Sequence, residues 1–205
     1  VNHQGRQKTE TVDISIYPGE ADGYSEHRRQ DLPGFGAVCA LCCDVDDDGR
    51  ADLVLINSAH NTPSRDPGSY IYRNDEGFSA PPTWILPTDL PHGACCADFD
   101  RDGYLDLVFG CTKNAEIQIF HGGPEGPGSA PERVRLDEAF TCALFIYAAD
   151  LNNDGWLDLV LPQSTADRSL ILWGGPDGFS WDRCQQLSVW KAICARAADL
   201  TGNGH

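Results

Sequence analysis

The chain has 205 residues, 41% of them hydrophobic, enough for one sizeable domain or two small ones with a buried core. Its formal charge of −16, from 31 acidic and 15 basic side chains, argues against nucleic acid and anionic membrane as partners, because those contacts need a Lys/Arg surface. No apolar run approaches the roughly 18–20 residues of a membrane span, so membrane insertion is not expected, and no stretch after Val1 reads as a signal peptide.

Taken in chain order, the segments repeat. Residues 11–32 contain "ISIYPGEADGYS", a short alternating apolar run entering a turn, and supply the last two strands, C and D, of a four-stranded unit. Residues 34–91 hold a whole unit: strand A "FGAVCALCC", an aspartate loop, strand B "ADLVLIN", strand C "YIYRN" and strand D "FSAPPTWILPT". Units follow at 92–138 and 139–189, and residues 190–205 supply a strand A with a truncated loop. The loops open at Asp44, Asp98, Asp150 and Asp199, so the intervals are 54, 52 and 49 residues, a period of propellers and solenoids. Nothing in the unit has the apolar spacing of a long helix. The expected fold is all-β: β-propeller blades of four antiparallel strands, with the small residues of strand A crowding the axis and a calcium loop between strands A and B. Three blades and two partial ones do not close a ring, so a fragment of a longer propeller is expected, closed by its remaining blades or by another chain.

Nine cysteines, an odd number, cannot all pair internally. Cys42, Cys43, Cys95 and Cys96 immediately precede the loops, where other copies carry Ala148, Ala149, Ala197 and Ala198. They read mainly as small buried hydrophobes, with disulfides left open. No paired CxxC spacing suggests zinc.

Each loop follows D-x-[DN]-x-D-G-x-x-D. Side-chain oxygens at positions one, three, five and nine, a carbonyl at seven and a bend at the position-six glycine suit a hard cation. The expected ligands are Asp44, Asp46, Asp48, the Arg50 carbonyl and Asp52 in the first loop. They are Asp98, Asp100, Asp102, the Tyr104 carbonyl and Asp106 in the second, and Asp150, Asn152, Asp154, the Trp156 carbonyl and Asp158 in the third. All-oxygen ligation favours Ca²⁺, at about three sites, and such charge density needs a cation to be favourable. An EF-hand is excluded because position twelve is Leu55, Phe109 or Leu161 and the loop runs into a strand. The fourth loop has Thr201 and Asn203 at positions three and five and is not expected to hold calcium.

With "DxDxDGxxDLV" between strands A and B and "GGPDGFS" between C and D, the chain resembles the FG-GAP/VCBS repeat of integrin α-chain propellers and bacterial extracellular proteins. The resemblance implies a propeller that is typically seven-bladed, calcium at the residues named above, and a secreted or cell-surface location. Adhesive or catalytic residues of the family find no matching motif here.

A to B and C to D turns at one end of a blade leave B to C and D to A connections at the other, where binding loops on a rigid scaffold concentrate function. His60, Asn61, Arg65, Lys113, Arg168, Trp190 and Lys191 are the candidates for that face. The expected function is a calcium-binding extracellular module for glycan or protein binding, including cell adhesion. The alternatives are a non-catalytic structural blade array and, because some family relatives are lyases or dehydratases on sugars, part of a carbohydrate-active propeller. No GxSxG, HExxH or phosphate-cradling loop is present, and His60, His92 and His121 are scattered, which weighs against an enzyme.

Overall fold

The computed structural model describes residues 13–58, 67–112, 114–137 and 145–201. Strand-forming segments are short and follow the repeat. Strands β1 (Ile14–Ile16) and β2 (Gln30–Leu32) pair antiparallel as a two-stranded sheet. The first four-stranded sheet runs β3 (Ala37–Cys43), β4 (Asp52–Asn57), β5 (Ser69–Tyr72), β6 (Trp84–Leu86). The second runs β7 (Pro91–Ala97), β8 (Asp106–Cys111), β9 (Glu116–Phe120), β10 (Glu132–Arg135). The third runs β11 (Tyr147–Ala149), β12 (Asp158–Leu161), β13 (Arg168–Leu172), β14 (Cys184–Ser188). Each is an antiparallel meander of consecutive strands, the architecture of a propeller blade.

The second strand of each blade reads as a continuous apolar run because both of its faces are covered. Leu53 and Leu55 pack with Ile14 and Leu32 of the two-stranded sheet, whereas Val54 and Ile56 pack with Leu107, Phe109 and Phe120 of the second blade. One blade further on, Val108, Ile117 and Ile119 meet Leu159, Leu161, Leu170 and Leu172. The period-two alternation thus sends one side chain to each neighbouring blade, and every such buried Leu, Ile or Val contributes about 1.5–3 kcal/mol. Outer strands are wet: Glu132, Arg133 and Arg135 of β10 are exposed while Val134 is buried.

Residues 190–201, expected to supply a further strand A, contain no strand. Strand A elsewhere is held by its pairing with strand B, and among the described residues no strand pairs with this segment. The segment instead hooks back on the third blade, Val189 N donating to Asp167 O at 3.0 Å and Lys191 N to Ala166 O at 2.8 Å.

Candidate functional site

The three aspartate loops share one backbone. Position four is left-handed in each, at Asp47 (φ 57°), Arg101 (φ 63°) and Asn153 (φ 59°), as is the glycine two residues later. The first aspartate holds this turn: in the second loop Asp98 Oδ1 accepts from Asp102 N at 3.1 Å and Oδ2 from Gly103 N at 3.1 Å. Asp44 and Asp150 do the same for positions five and six of their loops. Position five then accepts from the N–H of position seven, placing Arg50, Tyr104 and Trp156 beside Asp48, Asp102 and Asp154 at 2.8–2.9 Å.

The ninth aspartate has a structural task besides the expected one. Asp52, Asp106 and Asp158 open strand B and are fully buried. One oxygen of each accepts from position two, Val45 N, Phe99 N or Leu151 N, at 2.9–3.0 Å. The other accepts from the turn between strands C and D, Asn74 N, Gly122 N or Gly174 N, at 2.8–2.9 Å. Burial pushes these carboxyls above the usual carboxylate range, against the pull of the two N–H donors. Turn and loop touch so closely that a Cβ at Gly122 would lie 2.5 Å from Leu105 O. In the first blade, Asn74 Nδ2 donates to the corresponding carbonyl, Ala51 O.

Ligating atoms converge. Carboxylate oxygens of Asp44, Asp46 and Asp48 lie within 4.8 Å of one another, as do those of Asp98, Asp100 and Asp102, and a further grouping joins Asp100 and Asp106 to His121. Asp46 Oδ1 is buried and makes no hydrogen bond, an orphan oxygen of the kind a cation satisfies. The side-chain donor set is all carboxylate in the first loop and carboxylate with the Asn152 amide oxygen in the third, so the residues fit a hard cation. In the third loop Asn152 donates its amide to Asp154 Oδ2 at 2.9 Å.

Three residues that flank these loops were not among the sequence candidates. Register aligns Tyr72, Phe120 and Leu172 opposite the first leucine of each strand B, so Arg73, His121 and Trp173 occupy one position. Arg73 Nε lies 2.6 Å from Asp46 Oδ2 and its Nη2 3.2 Å from Asp48 Oδ2, while Arg50 Nη2 lies 2.6 Å from the same Asp48 oxygen. His121 Nδ1 lies 3.2 Å from Asp100 and 3.3 Å from Asp106, and its Nε2 is 3.0 Å from Glu132.

The opposite end is built by the other connections, tied together where Thr112 N donates to Leu90 O at 3.2 Å and Leu136 N to Ala115 O at 2.8 Å. Arg168 pairs there with Asp137 at 3.2 Å, and Trp190 is 77% exposed with Lys191 Nζ 5.4 Å from its ring. His60, Asn61, Arg65 and Lys113 lie outside the described residues. A polar network in the second blade is a feature the sequence candidates omit. Glu116, buried, accepts from Gln118 Nε2 at 2.9 Å and from Arg133, which also pairs with Asp89 at 2.8 Å; Gln118 donates to Asp89 at 2.9 Å. Beside it Asn114, Glu116, Arg133, Arg135 and Leu136 line a cavity of about 730 Å³. Its sequence signal is "EIQIF", which places Gln118 on the inter-blade face where the third strands of the other blades carry Tyr70 and Leu170.

No curated protein matches the chain. A solved structure described as the structural basis of specific recognition of non-reducing terminal N-acetylglucosamine by an Agrocybe aegerita lectin is similar over 84% of this chain, at 18% identity and a TM-score of 0.46. The chain spans 48% of that structure's length. The FG-GAP-like repeat model matches residues 44–109 and again 98–161, two overlapping stretches that each run from one aspartate loop into the strand B of the next blade. The chain belongs to the FG-GAP-like repeat family.

Proposed function

We propose that the protein is a calcium-binding β-propeller module, secreted or displayed at the cell surface, that binds a glycan or another protein through the end of the blades opposite its aspartate loops. The observation that carries this reading is the division of labour between the two ends. One end gathers carboxylate oxygens around turns braced by backbone hydrogen bonds to the first and ninth aspartates, including the orphan Asp46 Oδ1. The other offers a polar cavity and the exposed Trp190 on connections that vary between blades. In the loops, Asp44, Asp46, Asp48 and Asp52, with their counterparts in the second and third copies, would hold the ion, which supplies the charge compensation that fixes each A to B turn.

Binding is favoured over catalysis because both carboxylates of the network, Asp89 and Glu116, contact the Arg133 guanidinium. Those pairings engage both carboxylates internally, and Asn114 and Arg135 line the cavity as groups that a partner can hydrogen-bond. Thermal unfolding in calcium and in excess chelator tests the metal half of the reading. Saturating calcium at about 100 times its Kd stabilises by about 2.7 kcal/mol per site, so chelation lowers Tm by several degrees; an unchanged Tm removes calcium from the account. Titration against panels of immobilised oligosaccharides and purified secreted proteins tests the other half. A partner whose binding is weakened by Arg135→Glu or Trp190→Ala supports the proposed face, and failure to bind either panel leaves a structural blade array.

A further inference from the structure

The seam between the first two blades contains a pair of thiols for which the proposed function has no use. Along β3, Leu41 and Cys43 share a face with Val54 of β4, and all three belong to the core between the first and second blades. Along β7, Ala94 and Cys96 share a face with Phe109 and Leu107 of β8 and belong to the same core. Strand alternation therefore turns Cys43 and Cys96 into the same seam, where β3 and β7 lie side by side.

The next seam shows what this position demands. By register, Ala97 takes the place of Cys43, each pairing with the first residue of strand B, and Ala148 takes the place of Cys96, each pairing with the residue after it. Ala97 and Ala148 both pack into the core between the second and third blades. Two small side chains meet at each seam because strands A approach closely there. Cysteine is the small residue that can also close the gap covalently. Of the other thiols, Cys42 pairs with Leu53 and is exposed, and Cys95 pairs with Val108 and faces the third blade; Cys39 and Cys111 belong to the same core but sit further along their strands, paired with Ile56 and Pro91.

We propose that Cys43 and Cys96 are joined in an inter-blade disulfide that ties β3 to β7 directly beneath the first two aspartate loops. Oxidised glutathione, a small-molecule disulfide, is a sufficient oxidant. Cys96 is half-buried and Cys43 buried, so the reagent reaches Cys96 first. The Cys96 sulfur, giving up its proton, attacks one glutathione sulfur, forms a mixed disulfide and expels one glutathione thiolate. The Cys43 sulfur then attacks Cys96 Sγ, forms the protein disulfide and expels the second. Two protein thiols are oxidised, one glutathione disulfide is reduced to two thiols, and the two protons finish on glutathione.

The test uses the full chain with calcium, incubated with oxidised glutathione, alkylated, and mapped by peptide mass spectrometry without reduction. The expected result is one cross-linked peptide pair carrying Cys43 and Cys96, the other seven of the nine cysteines remaining alkylated, and a Tm raised by roughly 5–15 °C over the reduced protein. Cys43→Ala, which copies the residue at this register in the next blade, abolishes both the cross-link and the rise, while Cys42→Ala leaves both intact. Alkylation of Cys43 and Cys96 alongside a different linked pair, glutathione retained on Cys96 as the end product, or loss of the cross-link in Cys42→Ala overturns the proposal.

Discussion

The first and third loops have the same backbone and the same hydrogen-bond ladder, yet they handle their charge in opposite ways. In the first, Asp46 has a side chain only 6% exposed and meets the Arg73 guanidinium, while Arg73 and Arg50 together cover Asp48. In the third, position three is Asn152, its amide donates to Asp154, the partner position is Trp173, and among the described residues no guanidinium is ion-paired with Asp150 or Asp154. Both position-five carboxyls are nevertheless held low. For Asp48, burial works the other way but is outweighed by the Arg50 N–H and the Arg73 guanidinium; for Asp154, the Trp156 N–H and then the Asn152 amide are responsible. The turn is therefore a self-supporting piece of backbone chemistry, and the neutralising cation is a separate, replaceable component. The first loop carries one internally.

The part common to the loops yields the largest effect. Asp52→Ala, Asp106→Ala and Asp158→Ala each strip two backbone N–H groups, one buried and one part-buried, of a charged acceptor, at a cost of roughly 3–5 kcal/mol. Urea unfolding in excess chelator should show similar losses for all three, since the ninth position is built alike in each loop. A loss confined to one blade would mean that the ladder is not the shared support.

Arg73→Ala separates the loops. In a background where Asp100→Ala and Asp154→Ala silence the other two, removing the internal cation should tighten calcium binding at the first loop by about three- to tenfold in calorimetric titration, a modest change in competition at a partly exposed site. An unaltered Kd would show that the arginine swings clear without cost and that the three loops are equivalent for metal.

How much of this was legible beforehand follows from the range of each interaction. The D-x-[DN]-x-D-G spacing is local, and the turn, the strand that follows and the aspartate that joins them could be read from "DFDRDGYLDLVFG" alone. The left-handed fourth position could not, because Asp47, Arg101 and Asn153 share no side-chain type. Arg73 and His121 act on aspartates many residues earlier in the chain, through a strand pairing that places them beside the loop, and their identities differ from blade to blade. The same holds for Asp89 and Glu116, which come together only when one blade's outgoing connection packs on the next blade's third strand. A strand A was expected after residue 190 from the repeat, but its small residues do not hold a strand by themselves, and among the described residues no strand B pairs with them.

A smaller effect concerns how the third loop is propped from outside. The Arg101 guanidinium, from the left-handed position of the second loop, lies 4.2 Å from the Trp156 ring centroid. Arg101→Ala should destabilise by about 0.5–1 kcal/mol, read as a lower midpoint in chemical denaturation, and the same loss should appear in Trp156→Ala without adding in the double variant. Additive losses would mean that the two residues act separately and that the third loop stands alone.

The smallest predicted effect belongs to the second loop, which sits between the two extremes because its partner titrates. Burial lowers the His121 pKa, but the Glu132 hydrogen bond and the charges of Asp106 and Asp100 outweigh it and leave the pKa raised. A histidine with a folded pKa above its unfolded value of about 6.5 contributes stability that is complete below that value and is lost as pH rises through the folded pKa. In excess chelator, Tm should therefore fall between about pH 6 and 8 by slightly more in the wild type than in His121→Gln; the side chain is 41% exposed, so solvent screening keeps the difference small. The first loop cannot contribute to that window because Arg73 stays charged, nor the third because Trp173 does not titrate. Parallel pH profiles for the two proteins would place the cation of the second loop elsewhere than His121.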